Sequence, residues 1–172
     1  MVAALSHEKK GMIDKKPEMD QIGEDAQLLL KQLTFLIDED TNAFNNVMSA
    51  NRLITESNED KINKDLKIEN ANKYAAKVPL ETARLCLDVA ILAGRLIKIG
   101  NPNSVTDAAV AVEVSVAGLR GACLNVLINI NEISDGNFSS KKLKQVKDLI
   151  EESEALKVKS FENTLKIISG SK

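Results

Sequence analysis

The chain has 172 residues, of which 44% are hydrophobic, 28% charged and only 3% aromatic, and its formal net charge at pH 7 is −2. This length predicts one domain, residues 1–172, and the aliphatic composition favours helices packed on helices over a β sandwich. The weakly negative charge and the lack of a basic patch interleaved with aromatic residues argue against nucleic-acid binding.

The two cysteines and the one histidine limit the possible kinds of function further. Cys86 and Cys123 stand far apart in apolar helical patterns, which is typical of buried free thiols in a reducing compartment. One histidine, His7, and no CxxC or HExxH cluster predict no metal site. Met1–Leu5 is too short for a signal peptide and leads into charged residues, so we expect a cytoplasmic protein.

The first half of the chain predicts long helices. Met1–Leu5 resembles the end of an apolar helix, which Gly11 can terminate, and Pro17 can open a helix over 17–54 at its first position. Asp40 lies in the middle of that helix within an acidic run. Two interpretations stay open: a solvated acidic face, or a carboxylate facing a pocket as proton donor or acceptor.

The next segment divides at a proline. Ser57 can cap a charged and partly exposed helix over 58–78. Pro79 then kinks or restarts the helix, because proline lacks an amide donor and clashes with the preceding turn. Residues 80–99 form a wide apolar face, and Gly100 is the expected C′ residue.

The most apolar stretch, Gly100–Asn131, predicts a buried central helix. Ser104 or Thr106 can cap it, and Asp107 falls in its first turn, where a negative charge suits the helix dipole. Its length approaches that of a membrane span, but charged and amide side chains interrupt the stretch, so we expect no membrane insertion.

One side of this central helix carries small and polar residues at helical spacing, and two glycines in mid-helix are costly unless something approaches closely. The stripe could be a tight helix crossing, or a groove in which a ligand lies between polar ends. Its members are Asp107, Ala111, Val114, Gly118, Gly121, Ala122, Asn125 and Asn129.

The last predicted helix covers about 140–168, follows a loop at 134–140 and is capped by Ser139 or Ser140. No strand pattern occurs. The sequence therefore predicts an all-α fold, an antiparallel bundle of about five helices, several of them long, around a buried central helix.

Several short motifs, in this order along the chain, resemble the formimidoyltetrahydrofolate cyclodeaminase and methenyltetrahydrofolate cyclohydrolase family. The family shows Asp-x-x-Ala-Phe, Ala-x-Val-Pro-Leu, Gly-Asn followed by Ser/Thr-Asp, and Asn-Val-x-Ile-Asn. The matching segments here are 40–44, 76–80, 100–107 and 125–129, with Met1-Val2 and the basic pair Lys9-Lys10 resembling the end of the family's first helix. The 125–129 run and Ile133-Ser134-Asp135 resemble the cyclodeaminase branch in particular.

The resemblance implies folate one-carbon chemistry in a helical homodimer. The cyclodeaminase closes 5-formimidoyltetrahydrofolate to 5,10-methenyltetrahydrofolate and releases ammonia; a tetrahydrofolate derivative is the substrate, and no metal or redox cofactor is implied. The alternatives are a methenyltetrahydrofolate cyclohydrolase, and a non-catalytic module acting by dimerisation or folate binding. A glutamate formimidoyltransferase is a possible partner of the cyclodeaminase.

The resemblance also assigns site residues, because the reaction needs groups that remove and deliver protons. We expect Asp107 first and Asp40 second as catalytic carboxylates. The candidate substrate-binding residues are Asn101, Asn125 and Asn129 for the pterin or imino group, and Lys9 and Lys10 for the anionic glutamate tail. For the two lysines, an ordinary solvated helix end is the alternative.

Two departures from the family pattern affect the site. The family normally has a Pro-Gly-Gly-Gly-Ser loop and a small-residue helix before the position of Met1, and this segment is not in the sequence. We therefore expect the backbone amides of that loop to be missing from the site and a groove in the core to be uncovered. His7-Glu8 replaces an aromatic or similar residue followed by glycine, and His7 receives no role.

Overall fold

The structure, a computed structural model, describes residues 1–170. It contains five helices: α1 Val2–His7, α2 Lys16–Asn51, α3 Asn58–Ile99, α4 Val105–Ile130 and α5 Gly136–Ile168. Short 3-10 turns, Ile13–Lys15 and Pro102–Ser104, precede α2 and α4. The predicted all-α bundle of five helices is confirmed, and residues 1–170 contain no strand.

Of the two alternatives expected at Pro79, a kink or a restart, the structure overturns the restart. The helix runs without a break through this proline, and Pro79 and Leu80 are buried. Proline cannot donate to the carbonyl four residues earlier, which belongs to Ala75. The Asn129 side chain on α4 donates to this carbonyl oxygen at 2.8 Å. The neighbouring helix thus supplies the hydrogen bond that proline lacks, and α3 continues.

The sequence around each helix start predicts the N-cap residue of α3 correctly and that of α5 wrongly. Ser57 caps α3 as predicted, in a capping box: its hydroxyl accepts from the Asp60 N–H at 3.1 Å, and the Asp60 carboxylate accepts from the Ser57 N–H at 2.9 Å. The expected start of α5 at Ser139 or Ser140 is wrong. Asp135 caps that helix by accepting from the Phe138 N–H at 3.0 Å, because a carboxylate is an equally good N-cap.

The central position of α4 is confirmed, but only one of its faces is covered. This face contributes to both large core clusters, where it packs against α3 and α5; its buried residues include Ala108, Val112, Val116, Leu119, Cys123 and Val126. On the opposite face Val110, Val114, Leu124 and Ile128 are 61–67% exposed. A uniformly apolar sequence does not distinguish burial within the chain from burial against another molecule.

The apolar stretch Pro102–Ile130 is, within residues 1–170, the one helix long and apolar enough to cross a membrane. Composition of this kind is also typical of a core helix in a soluble domain. One face of α4 packs against α3 and α5.

An ion-pair network fastens α3 to the loop between α4 and α5. The Glu69 carboxylate accepts from the Ser134 and Asp135 N–H groups at 2.9 and 3.2 Å. Lys73 lies 3.3 Å from that carboxylate and 2.8 Å from that of Asp135. The backbone donor at Ser134 lowers the pKa of Glu69, and the Lys73 ammonium lowers that of Asp135.

This network predicts loss of stability in acid. A carboxylate whose pKa is lower in the folded state stabilises the fold above its unfolded pKa, about 4 for Asp and Glu, and this stabilisation disappears as the pH falls through the folded value. We expect Glu69→Gln to flatten the dependence of the free energy of unfolding on pH below about 4. Urea titrations from pH 7 to 3 measure this. Glu151→Gln, at an exposed position on α5, is the control; an unchanged slope for Glu69→Gln would contradict the assignment.

Candidate active site: the groove beside Asp107

An open groove of about 670 Å³ lies between α1, α2, α3 and the first turns of α4. Its walls are almost entirely apolar: they include Val2, Ala3, Ile22, Leu29, Leu30, Leu33, Leu92, Leu96, Ala108 and Ala111. A mostly apolar concavity of this size with few polar groups is typical of a small-molecule site.

Asp107 is the acidic side chain in the lining of this groove. It lies in the first turn of α4, is exposed, and makes no hydrogen bond or ion pair with any residue of the described range 1–170. The preceding turn brings it to the groove because Asn101 accepts from the Asn103 N–H at 3.0 Å and starts the turn before α4. A carboxylate that is free of partners can exchange a proton with a ligand in the groove.

Lys9 and Asn101, two predicted substrate-binding residues, lie next to each other. The Lys9 ammonium donates to the Asn101 side-chain oxygen at 2.9 Å, and the Asn101 N–H donates to the buried Ser6 hydroxyl at 2.7 Å. These bonds join α1 and the residues after it to the loop that precedes α4, the helix that carries Asp107. Lys10 is exposed, without a partner among the described residues.

Gly100 permits this close approach. A Cβ atom at position 100 would lie 2.5 Å from the Leu96 carbonyl oxygen and 3.3 Å from the Ser6 hydroxyl oxygen. The backbone here has φ −77°, so Gly100 is required for space and is not a left-handed C′ residue as expected. The loop can therefore approach the end of α3 only with glycine at this position.

Asp40 does not belong to the groove. It is exposed on α2, whereas Ala43 of the same motif is buried in a cluster with Ala75 and Val78. The neighbouring Glu39 is the carboxylate that has a partner: it accepts a hydrogen bond from the Tyr74 hydroxyl, which lowers the pKa of Glu39. The catalytic role of Asp40 stays a prediction without support from its position.

The stripe on α4 has two different environments. Asp107 and Ala111 line the groove, but Asn125 is exposed, does not line it, and lies 18 residues, or about 27 Å, further along the helix. Between them α3 packs closely, since a Cβ at Gly118 would lie 3.3 Å from the Cys86 sulfur. The groove interpretation therefore describes the first turns of α4. A close approach to α3 is found at Gly118, but Val114, Gly121 and Asn125 are exposed, and a Cβ at Gly121 would meet no atom within 4 Å. The tight crossing therefore does not describe the whole remainder of the stripe.

Asn129 faces α3 through its hydrogen bond to the Ala75 carbonyl. The sequence missed the apolar walls from α2 and α3, such as Leu30, Leu33 and Leu92. Their spacing marked them as core residues, and only the arrangement of three helices shows that they line an open groove.

Within residues 1–170, no group of three or more metal-ligating side chains lies close enough together to hold an ion.

The structure is an all-helical domain with an apolar groove whose lining includes one carboxylate, that of Asp107. Comparison with known proteins makes this specific. The family described as Formiminotransferase-cyclodeaminase matches residues 1–148. The chain belongs to this family, whose members catalyse folate interconversion in one-carbon metabolism.

Individual relatives carry two different names. The chain is 36% identical over 162 residues to a methenyltetrahydrofolate cyclohydrolase of Methylorubrum extorquens, covering 94% of this chain and 78% of that protein. It is 29% identical over 121 residues to the formimidoyltransferase-cyclodeaminase of Rattus norvegicus, covering 70% of this chain but 22% of the rat protein. The crystal structure of a formiminotetrahydrofolate cyclodeaminase from Thermotoga maritima matches with a TM-score of 0.79 and 32% identity, covering 99% of this chain and 79% of that one.

Proposed function

We propose that the chain acts on the one-carbon bridge between N5 and N10 of tetrahydrofolate, as a methenyltetrahydrofolate cyclohydrolase. The observation that supports this most is the partner-free Asp107 carboxylate in the lining of an apolar groove of about 670 Å³. The similarity to the Methylorubrum extorquens cyclohydrolase extends over nearly the whole chain and supports the choice of reaction.

In this proposal Asp107 acts as a general base. It removes a proton from a water molecule as the oxygen adds to the bridge carbon of 5,10-methenyltetrahydrofolate. The resulting carbon carries N5, N10 and a hydroxyl group. The N5–carbon bond then breaks, N5 receives the hydroxyl proton, and 10-formyltetrahydrofolate forms with the release of one proton overall.

The second candidate is formimidoyltetrahydrofolate cyclodeaminase, favoured by the similarity to the Thermotoga maritima protein and by the motifs at 125–129 and 133–135. Here N10 attacks the formimidoyl carbon and loses its proton to Asp107. The imino nitrogen gains protons and leaves as ammonia, which gives 5,10-methenyltetrahydrofolate. Both reactions pass through a carbon bonded to N5, N10 and one further heteroatom, so one carboxylate can serve either.

Direct assay of both substrates separates the candidates. The purified chain is supplied with 5,10-methenyltetrahydrofolate or with 5-formimidoyltetrahydrofolate, and folate products and ammonium are measured. Hydrolysis to the 10-formyl product without ammonium release supports the cyclohydrolase. Methenyl product with one ammonium per turnover supports the cyclodeaminase. No turnover of either substrate, with folate still bound, would support the non-catalytic module.

The setting of this function is proposed as well: a cytoplasmic homodimer, with a glutamate formimidoyltransferase as partner if the reaction is the cyclodeaminase. The exposed face of α4 supports association of two copies. An apolar face of this kind usually marks an interface. Val110 and Val114 on one side of Gly121, and Leu124 and Ile128 on the other, would meet their counterparts across a two-fold axis.

Charges placed on this face test the dimer. We expect Val114→Glu combined with Leu124→Glu to shift the chain toward monomer, because like charges would be buried against each other. Sedimentation equilibrium measures the association. Leu66→Glu, at a residue 57% exposed on α3, is the matched control. If the unaltered chain, the double variant and the control associated equally, the exposed face of α4 would not be the dimer interface.

A further inference from the structure

The groove beside Asp107 has a second polar side chain in its lining, that of Gln27 on α2. Among the described residues that line the groove, Asp107 and Gln27 alone have polar side chains; the others are aliphatic residues, methionine or glycine. Gln27 is exposed and makes no hydrogen bond with any residue of the range 1–170. No motif described above includes it, so the proposed reaction gives Gln27 no role.

The asparagine amides that were expected to bind the substrate do not line this groove. None of Asn101, Asn125 and Asn129 is among its lining residues. The Asn129 side chain donates instead to the Ala75 carbonyl oxygen at 2.8 Å, and Asn125 is exposed. Within the part of the chain that the structure describes, Gln27 is therefore the one side-chain amide of the groove, and its NH2 donor and its carbonyl acceptor are both free.

Gly23 lies one helical turn before Gln27 on the same face of α2, and it also lines the groove. A glycine inside a helix lowers stability relative to alanine, a cost that is offset where a second backbone or a ligand approaches closely. No protein group approaches Gly23: a Cβ atom there would meet no atom within 4 Å beyond the neighbouring backbone of its own helix. The space over the Gly23 backbone is therefore open to a ligand.

Gly23 and Gln27 lie where the apolar groove meets a polar depression. This depression, of about 650 Å³, is lined by both residues and shares Ala3 and Ala4 with the groove as well. Its further walls carry charged side chains of both signs, including that of Lys31. A ligand part at this boundary has apolar contacts on one side and polar surroundings on the other, which suits a flat heterocycle with hydrogen-bonding groups along one edge.

The edge of a pterin ring is complementary to a primary amide. Its lactam holds the N–H donor at N3 and the carbonyl acceptor at C4 on the same side of the ring. A glutamine side chain offers its oxygen and its NH2 group on one edge, so the two edges form a closed pair of hydrogen bonds. The amide that joins p-aminobenzoate to glutamate forms no such pair, because a trans amide places its N–H and its carbonyl on opposite sides.

From this arrangement we infer that Gln27 binds the lactam edge of the pterin, with the ring over the Gly23 backbone and the one-carbon group toward Asp107. The inference rests on the proposed function for the identity of the ligand. Gln27 is a specificity-determining residue: it selects a ring that presents an N–H and a carbonyl side by side. Gly23 leaves the space that the ring occupies.

The direct test compares two ligands of the full chain by calorimetry, 5-formyltetrahydrofolate and its N3-methyl derivative, which lacks the lactam N–H. We expect the unaltered chain to bind the methylated ligand about tenfold more weakly, because the hydrogen-bond pair with Gln27 is lost. Gln27→Leu should weaken binding of the unmethylated ligand about tenfold and bind the two ligands equally. Gln32→Leu, at an exposed glutamine of α2 outside the groove lining, is the matched control and should bind like the unaltered chain.

Gly23→Ala gives a second test, because stability and binding should change in opposite directions. Alanine favours the helix and its Cβ meets no protein atom, so the urea midpoint of unfolding should rise. The same methyl group takes space from the ring, so the affinity for 5-formyltetrahydrofolate should fall about tenfold. Gly121→Ala, at an exposed glycine of α4 with equally open surroundings, should raise the midpoint and leave the affinity unchanged.

The outcomes separate this inference from the proposed function. Unchanged binding in Gln27→Leu, or equal weakening by Gly23→Ala and Gly121→Ala, would overturn the inference while folate binding stands. A tenfold preference for the unmethylated ligand that persists in Gln27→Leu would assign the lactam contact to another group and would overturn it too. If the unaltered chain bound neither ligand, the proposed function itself would fail, and this inference with it.

Discussion

Replacement of Asp107 by asparagine is expected to reduce turnover of the folate substrate by about 100-fold or more, the usual contribution of a positioned acid–base group. The amide has the shape of the carboxylate but cannot accept a proton from water or from N10. Asp107 is exposed and has no partner among residues 1–170, so the variant should fold normally. The kcat of the purified variant, with the substrate that the unaltered chain converts, is the measurement.

Glu113→Gln is the matched control for this prediction. Glu113 is also an exposed acidic residue of α4, but it does not line the groove. We expect its variant to convert substrate at the original rate. If Asp107→Asn matched the unaltered chain and kept the same KM, Asp107 would not be the catalytic base, and Asp40 would be the next carboxylate to examine.

The second large effect is expected for Asn129→Ala, which leaves the Ala75 carbonyl without its donor. A buried or half-buried polar group that loses its hydrogen bond costs about 1–3 kcal/mol. The loss should appear in the free energy of unfolding measured with urea. Asn125→Ala, an exposed amide on the same helix, is the control and should change stability little.

A double-mutant cycle with Pro79→Ala tests whether the loss of stability in Asn129→Ala comes from the unsatisfied Ala75 carbonyl. Alanine at position 79 supplies the N–H that proline lacks, so the Ala75 carbonyl can be satisfied within α3. In the Pro79→Ala background, Asn129→Ala should therefore cost less than in the original chain. Equal costs in the two backgrounds would mean that Asn129 stabilises the fold in another way.

The interaction between Pro79 and Asn129 also shows why local signals were not enough to locate the helix boundaries. The sequence correctly indicated that position 79 lacks an amide donor. It could not show that α4 would bring Asn129, 54 residues away from Ala75, to the orphaned carbonyl. Where the decisive partner is local, as in the Ser57–Asp60 capping box, the helix start followed from the sequence.

The candidate site, like the helix boundaries, could be predicted only in part from the sequence. Asp107 could be selected because it combines a helix-start position with a family motif, and it does line a groove. Asn125 is on a similar side of the same helix, yet it does not line the groove that Asp107 lines. Helical periodicity fixes which residues share a face, whereas packing by α3 and α2 decides where along that face a groove remains open.

The most direct test of the central claim, that folate binds in the groove beside Asp107, is an amide chemical-shift titration of the labelled chain with 5-formyltetrahydrofolate. The account predicts the largest shifts at groove residues such as Ala3, Leu92 and Ala111, together with Asp107 itself. Shifts confined to other surfaces, with these four amides unchanged at saturation, would contradict it.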